Sequence, residues 1–167
     1  FSFLLHIHIF ANTCGTHFRR MSINLSKTVD SIGNTCTTHW LTIGCKFYFI
    51  DAKALRDSTD EEFPRMMRYQ DMRIKFAAWV KEENITFKDA LQGARVHDTL
   101  VISHRWSTRD YPDDEGMQLK EIKMHLKKNQ HLKRVWYDYM CLPQGLDRTP
   151  LQKAEFALQL SNVNVLY

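Results

Sequence analysis

The groups able to do chemistry cluster in two short segments, Ser103-His104-Arg105-Trp106 and Asp138-Tyr139-Met140-Cys141-Leu142-Pro143-Gln144. A guanidinium holds phosphate through paired N–H groups, an indole stacks on a base or ring, and a carboxylate accepts from a ribose hydroxyl. Arg105, Trp106 and Asp138 therefore make a nucleotide-shaped inventory, with Ser103, His104, Cys141 and Gln144 as its polar neighbours. Each also has a plainer reading. Arg105 pairs equally well with Asp110 or Asp113, and Trp106 with the end of a sheet. A carboxylate such as Asp138 at a buried strand end needs a partner, either Arg105 or a helix N-terminus. Cys141 becomes a nucleophile only beside a base, and spacing alone does not bring His104 to it, so it reads as a small buried apolar residue.

A second constellation is Cys14-Gly15-Thr16-His17 with Cys36-Thr37-Thr38-His39, and Cys45 nearby. Zinc takes four nitrogen or sulfur ligands in a tetrahedron, and two Cys-x-x-His pairs supply that number. The more familiar spacing is Cys-x-x-Cys, so Cys14, His17, Cys36 and His39 are a minority metal reading against coincidence. Four cysteines in 167 residues, without a dense framework, fit a reducing compartment, and the expected location is cytoplasmic. A net charge of +4 with scattered basic residues does not call for a nucleic-acid partner. Residues 1–11 are apolar but lack a basic flank and are too short to span a bilayer.

The chemistry-bearing segments need elements to position them. Thr99–Ser103, TLVIS, is a continuous apolar run, as expected for a strand buried on both faces. Leu119, Ile122 and Leu126 then share one face of a helix over Met117–Lys128, which Asn129 stops. Residues 132–139, LKRVWYDY, read as the next strand, completing a βαβ unit. Thr149-Pro150-Leu151-Gln152 combines an N-cap, a first-turn proline and a capping-box glutamine. It opens a helix whose expected buried side is Leu151, Ala154, Leu158 and Phe156. Residues 163–167, VNVLY, alternate as a third strand, so the expected order from residue 98 is β-α-β-α-β with a parallel sheet. In such sheets ligands bind beyond the carboxyl ends of the strands, where both polar segments emerge.

Upstream, Met66, Tyr69, Met72, Phe76 and Trp79 recur at helical spacing over 61–81, with Pro64 in the first turn, and their stripe reads as a packing face. Thr86 caps a short helix over Phe87–Leu91, stopped by Gly93. Residues 47–50 are a candidate strand. The expected division is 1–50 unassigned, 51–95 a helical extension and 96–167 the α/β domain. An uncovered final strand leads to reading the chain as part of a longer one, with Met21 a candidate internal start.

The second polar segment carries a resemblance. VWYDYMCLPQG resembles the heterokaryon-incompatibility (HET) segment Trp-Ile-Asp-x-x-Cys-Ile-Asn-Gln at Trp136, Asp138, Cys141 and Gln144. Pro143 stands for the family asparagine and Tyr137 for its aliphatic residue. TLVISHRW is similar to the first strand of TIR domains, with Ser103 and Trp106 in the polar exit. The resemblance spans residues 98–167 and implies the opening half of a flavodoxin-like, TIR-like α/β domain. It also implies a signalling role in immune or cell-death responses, with self or other TIR/HET-like domains as partners. Some TIR proteins cleave NAD with a glutamate on a helix after the third strand; here that position would lie beyond Tyr167, and Glu155 lies one helix too early. NAD or a related nucleotide is thus an implied ligand, with no cofactor assigned.

Overall fold

The computed structural model describes residues 8–9, 44–103, 108 and 111–166. Its framework is a mixed sheet in the order β1-β4-β5-β2-β3. The strands are β1 (His8–Ile9), β2 (Gly44–Asp51), β3 (Val80–Thr86), β4 (Thr99–Ser103) and β5 (Arg134–Tyr137). β1 is a two-residue pairing against β4, so four strands do most of the work. β4 and β5 run parallel, matching Leu100 with Val135 and Ile102 with Tyr137. The other pairings are antiparallel.

The expected βαβ unit is present. β4 leads to α4 (Met117–Lys128), which returns the chain to β5. Both oxygens of the buried Asp113 accept from the first turn of α4, from Gln118 N at 3.0 Å and Leu119 N at 2.9 Å. They satisfy two of the amides that a helix start leaves without partners. Leu119, Ile122 and Leu126 are buried, and Asn129 ends the helix by donating its Nδ2 to His125 O at 3.0 Å.

The rest of the sheet differs from the expected arrangement. β5 is flanked on its far side by β2, antiparallel, through Ile50–Val135 and Asp51–Arg134. Residues 47–50 are thus the heart of an eight-residue central strand, with Phe47, Phe49 and Ile50 wholly buried. β3 pairs with β2 along seven residues and closes that side as an edge. Its Lys81, Glu82 and Glu83 suit an edge, where charge discourages further strand addition. Val163–Leu166 forms a 3-10 turn, so no third parallel strand follows over these residues. Asn162 O accepts from Val165 N at 3.0 Å, and Val163, Val165 and Leu166 pack against the core from that turn.

The expected helix over 61–81 is reduced to α2 (Tyr69–Lys75), followed by a 3-10 turn over Ala77–Trp79. Residue 80 onward is claimed by pairing with β2, and a strand cannot keep helical dihedrals. The apolar stripe nevertheless docks as expected. Met66, Tyr69 and Met72 are buried, and the Phe76 and Trp79 rings lie 5.2 and 5.5 Å from that of Phe63.

α1 (Ala52–Asp57) follows β2 directly, α3 (Phe87–Leu91) carries the expected Thr86 capping box, and β5 runs into a single turn, α5 (Asp138–Cys141). The expected strand over 132–139 therefore ends at Tyr137. α6 (Pro150–Ser161) has the expected bounds and capping box but is rotated. Leu151 and Leu158 are 70% and 57% exposed and Ala154 also faces outward, while Gln159 is buried and Phe156 partly so. Polar contacts decide that rotation: Tyr48 Oη donates to Glu155 at 3.3 Å, and the Arg148 guanidinium stacks 4.2 Å above Phe156.

Candidate functional site

β4 and β5 end on the same edge of the sheet, because they are parallel neighbours and Ile102 is level with Tyr137. Ser103, the last residue of β4, is exposed, and Asp138 follows the end of β5 directly as the first residue of α5. Both polar segments thus start from one edge. His104, Arg105 and Trp106 lie outside the described residues, as do Cys14, His17, Cys36 and His39.

The residues of the second segment are engaged by their own fold. Trp136 sits in the core with 3% of its surface exposed, and its Nε1 has no hydrogen-bond partner among the described residues. Asp138 opens α5, where its Oδ1 accepts from Tyr139 N at 2.6 Å and its backbone oxygen from Leu142 N at 2.8 Å. Cys141 is completely buried, its sulfur accepting from Tyr137 N at 3.5 Å and directed at Val135 O at 3.7 Å. Burial pushes its thiol up to about 12, outweighing the Tyr137 amide, so at neutral pH it is protonated and inert.

Gln144 closes the loop. Its Nε2 donates to Asp138 O at 2.8 Å, at the start of the turn, and to Leu142 O at 2.9 Å, just past its end. The backbone of Gln144 is itself clamped by Gln70 of α2, whose Nε2 donates to Gln144 O at 2.6 Å and whose Oε1 accepts from Gln144 N at 3.1 Å. Next to it Gly145 adopts φ 83°, a left-handed conformation that a side chain disfavours. Arg68 reaches from the start of α2 to Asp71 at 3.1 Å and Asp147 at 3.4 Å, adding a weak exposed tie to the same loop.

Aromatic hydroxyls line the opposite flank. Tyr137 Oη donates to Gln118 Oε1 at 2.8 Å, and Gln118 Nε2 donates to Pro112 O at 2.7 Å, joining the end of β5 to the start of α4. Burial holds the Tyr137 phenol far above its ordinary value, so it stays a donor. Tyr111 Oη donates to Met66 O at 2.8 Å, its ring meets that of Tyr139 edge-on at 5.4 Å, and burial pushes its phenol up to about 12.

Gln70, Tyr111 and Gln118 were missed by sequence reasoning. Gln70 and Gln118 look like ordinary solvent-facing residues of amphipathic helices, and only the tertiary fold turns their amides onto the loop and strand. Cys141 matches its expected role as a small buried residue. Among the described residues, no group of three or more His, Cys, Asp or Glu side chains is placed to hold a metal ion. No described helix is long and apolar enough to cross a membrane. No family model, no curated protein and no solved structure matches the chain.

Proposed function

We propose that this chain is a cytoplasmic signalling module of the TIR/HET kind that acts by associating with a second copy of itself, in an immune or cell-death type of response. The observation that carries this reading is the outward face of α6. Leu151 and Leu158 are two turns apart on that face, with Ala154 between them, and the two leucines are 70% and 57% exposed. Two turns correspond to about 10 Å along a helix. A second α6 laid antiparallel by a two-fold axis therefore sets each Leu151 against a Leu158, which is the self-complementarity a symmetric dimer requires. The resemblance of residues 98–167 to TIR and HET modules supports the same reading. So does the engagement of Trp136, Asp138, Cys141 and Gln144 within their own fold, which suits a scaffold role for that segment.

Light scattering over a concentration series tests the proposal. The chain is expected to show reversible growth in mass, abolished by Leu151→Glu with Leu158→Glu and restored by returning both leucines. A strict monomer at high concentration, or association unchanged in the double variant, would refute it.

A second reading has its own observation in its favour. The common edge on which Ser103 and Asp138 emerge is where nucleotides bind in open α/β sheets. On this reading the chain contributes half of an NAD or nucleotide glycohydrolase site, with Arg105 and Trp106 as further ligand contacts and the catalytic glutamate beyond Tyr167. Titration with NAD and ADP-ribose separates the two. Binding weakened together by Asp138→Ala and Arg105→Ala favours the enzyme reading, and no binding removes it.

A further inference from the structure

The loop after α5 is fastened to the outer side of α2. Gln70 clamps the backbone of Gln144 at 2.6 and 3.1 Å, and two guanidiniums flank the residue that follows. Arg148 Nε donates to Gly145 O at 2.8 Å, and Arg68 Nη1 lies 3.9 Å from where a Cβ on Gly145 would stand. Leu146 comes next, at the tip of this loop, and is 96% exposed. Ile74 is one turn beyond Gln70, hence on the same side of α2, and is 79% exposed. A clamped loop and the helix that clamps it thus each project one large aliphatic side chain from the same side.

Positive charge accompanies the pair. Arg68 is tied to Asp71 and Asp147, but Arg73, Lys75, Arg148 and Lys153 have no ion pair among the described residues. A single exposed leucine needs no explanation, and the last turn of α2 accounts for Arg73 and Lys75, since positive charge is favoured at a helix C-terminus. That account fails at α6. Arg148 stands just before the Thr149 N-cap and Lys153 within four residues of the helix start, where the dipole favours negative charge, and the first turn of α6 carries no acidic residue. The loop that projects Leu146 therefore holds cations against the local electrostatic preference.

We propose that the outer side of α2 and the 144–148 loop dock on an anionic lipid surface. Leu146 and Ile74 enter the boundary between headgroups and acyl chains, while Arg73, Lys75, Arg148 and Lys153 meet the lipid phosphates and carboxylates. Charge complementarity sets the sign of the partner. Shape selects a bilayer over an acidic protein, because a leucine 96% exposed stands clear of the surface. A protein partner would need a pocket cut for it, whereas a bilayer takes a protruding aliphatic side chain without one. Contact of this kind lies on the membrane, in keeping with the absence of any described helix long and apolar enough to cross one. Ile74 and Leu146 are outside α6 and outside the strand exits, so the test stands apart from those of the preceding readings.

Flotation of the whole chain with vesicles of phosphatidylcholine, alone or mixed with phosphatidylserine, decides the matter. Binding is expected to the mixed vesicles, little to phosphatidylcholine alone, and release as salt is raised. Leu146→Gln should weaken binding by about tenfold, the effect of withdrawing one leucine from an apolar environment, and Ile74→Gln should act in the same direction. Lys75→Gln and Lys153→Gln, both at exposed positions, should each cost about fivefold, as for one cation beside an anionic surface. Leu91→Gln is the control, since that leucine is 75% exposed but belongs to α3, and it should leave binding unchanged. No binding to the mixed vesicles, or equal binding to both kinds, would overturn the proposal. So would binding to the mixed vesicles that Leu146→Gln leaves intact or that Leu91→Gln weakens as much.

Discussion

Replacing Lys123 by methionine tests the energetics of the fold at one atom. Lys123 lies on the inner side of α4 with 6% of its surface exposed, and its Nζ donates into the chain between α1 and α2. The acceptors are Ser58 O at 3.4 Å, Thr59 O at 3.3 Å, Phe63 O at 3.3 Å and the Asp60 carboxylate at 3.3 Å. Asp60 is 94% exposed, so its charge is screened and contributes little. The energy resides in the carbonyls, two of them in buried hydrogen bonds. Met keeps most of the stem against the Phe63 ring, 6.0 Å from Nζ, and removes only the ammonium.

Each buried carbonyl deprived of a donor costs about 1–3 kcal/mol, and the length of these bonds places them at the low end. Against this stands the desolvation of the ammonium, which the variant recovers. A net loss of about 2 kcal/mol is expected. With a urea slope of about 2 kcal/mol per molar, the midpoint falls by about 1 M at unchanged slope. Amide exchange over residues 58–63 should accelerate more than that over α4, since the segment loses its tie while the helix keeps its core face. A Lys123→Met protein as stable as the parent would refute the reasoning, because it would mean that desolvation cancels the hydrogen bonds.

Cys141 should resist alkylation in the native chain at pH 8 and react once unfolded, as peptide mass mapping would show; native labelling would contradict its burial. Burial raises the Asp98 carboxyl, but its hydrogen bond and charge contact with Arg134, aided by Lys133, outweigh that and hold it below its ordinary value. A depressed folded pKa stabilises above the unfolded value and is lost as pH falls through the folded one. Asp98→Asn should therefore lower stability at neutral pH and flatten the acid loss below about pH 4, and an unchanged acid limb would refute this. Gly145→Ala forces a side chain into a left-handed conformation, where its Cβ collides with Asp147 Oδ1. A loss of about 1–2 kcal/mol is expected by thermal melting, and adding Asp147→Ala should relieve the contact but leave the backbone cost.

Local signals were sufficient wherever one stretch of chain decides its own structure. The bounds of α4 and α6, the capping boxes at Thr86 and Thr149, and the parallel pairing of β4 with β5 all follow from residues close together in sequence. A cap is a contact across three residues, and a βαβ unit is nearly forced when a helix of three turns separates two buried runs. The common edge of Ser103 and Asp138 was legible for the same reason.

Competition between distant segments decided the rest. Residues 163–166 alternate well enough for a strand, yet the far side of β5 is taken by β2, which offers Phe47, Phe49 and Ile50 to the core. Residues 76–80 keep a helical spacing of large side chains, yet pairing with β2 draws Val80 into β3, and the stripe docks without a continuous helix. α6 was rotated by partners more than a hundred residues away, Tyr48 and Cys45, which meet Glu155 and the Leu158 carbonyl. Period alone marks which residues share a face, but which face is buried depends on the neighbour that arrives. At the site, a resemblance along one short segment grouped Trp136, Asp138, Cys141 and Gln144. Only the tertiary structure brought Gln70 onto the Gln144 backbone and sealed Cys141 away, since both require contact between elements that no local pattern encodes.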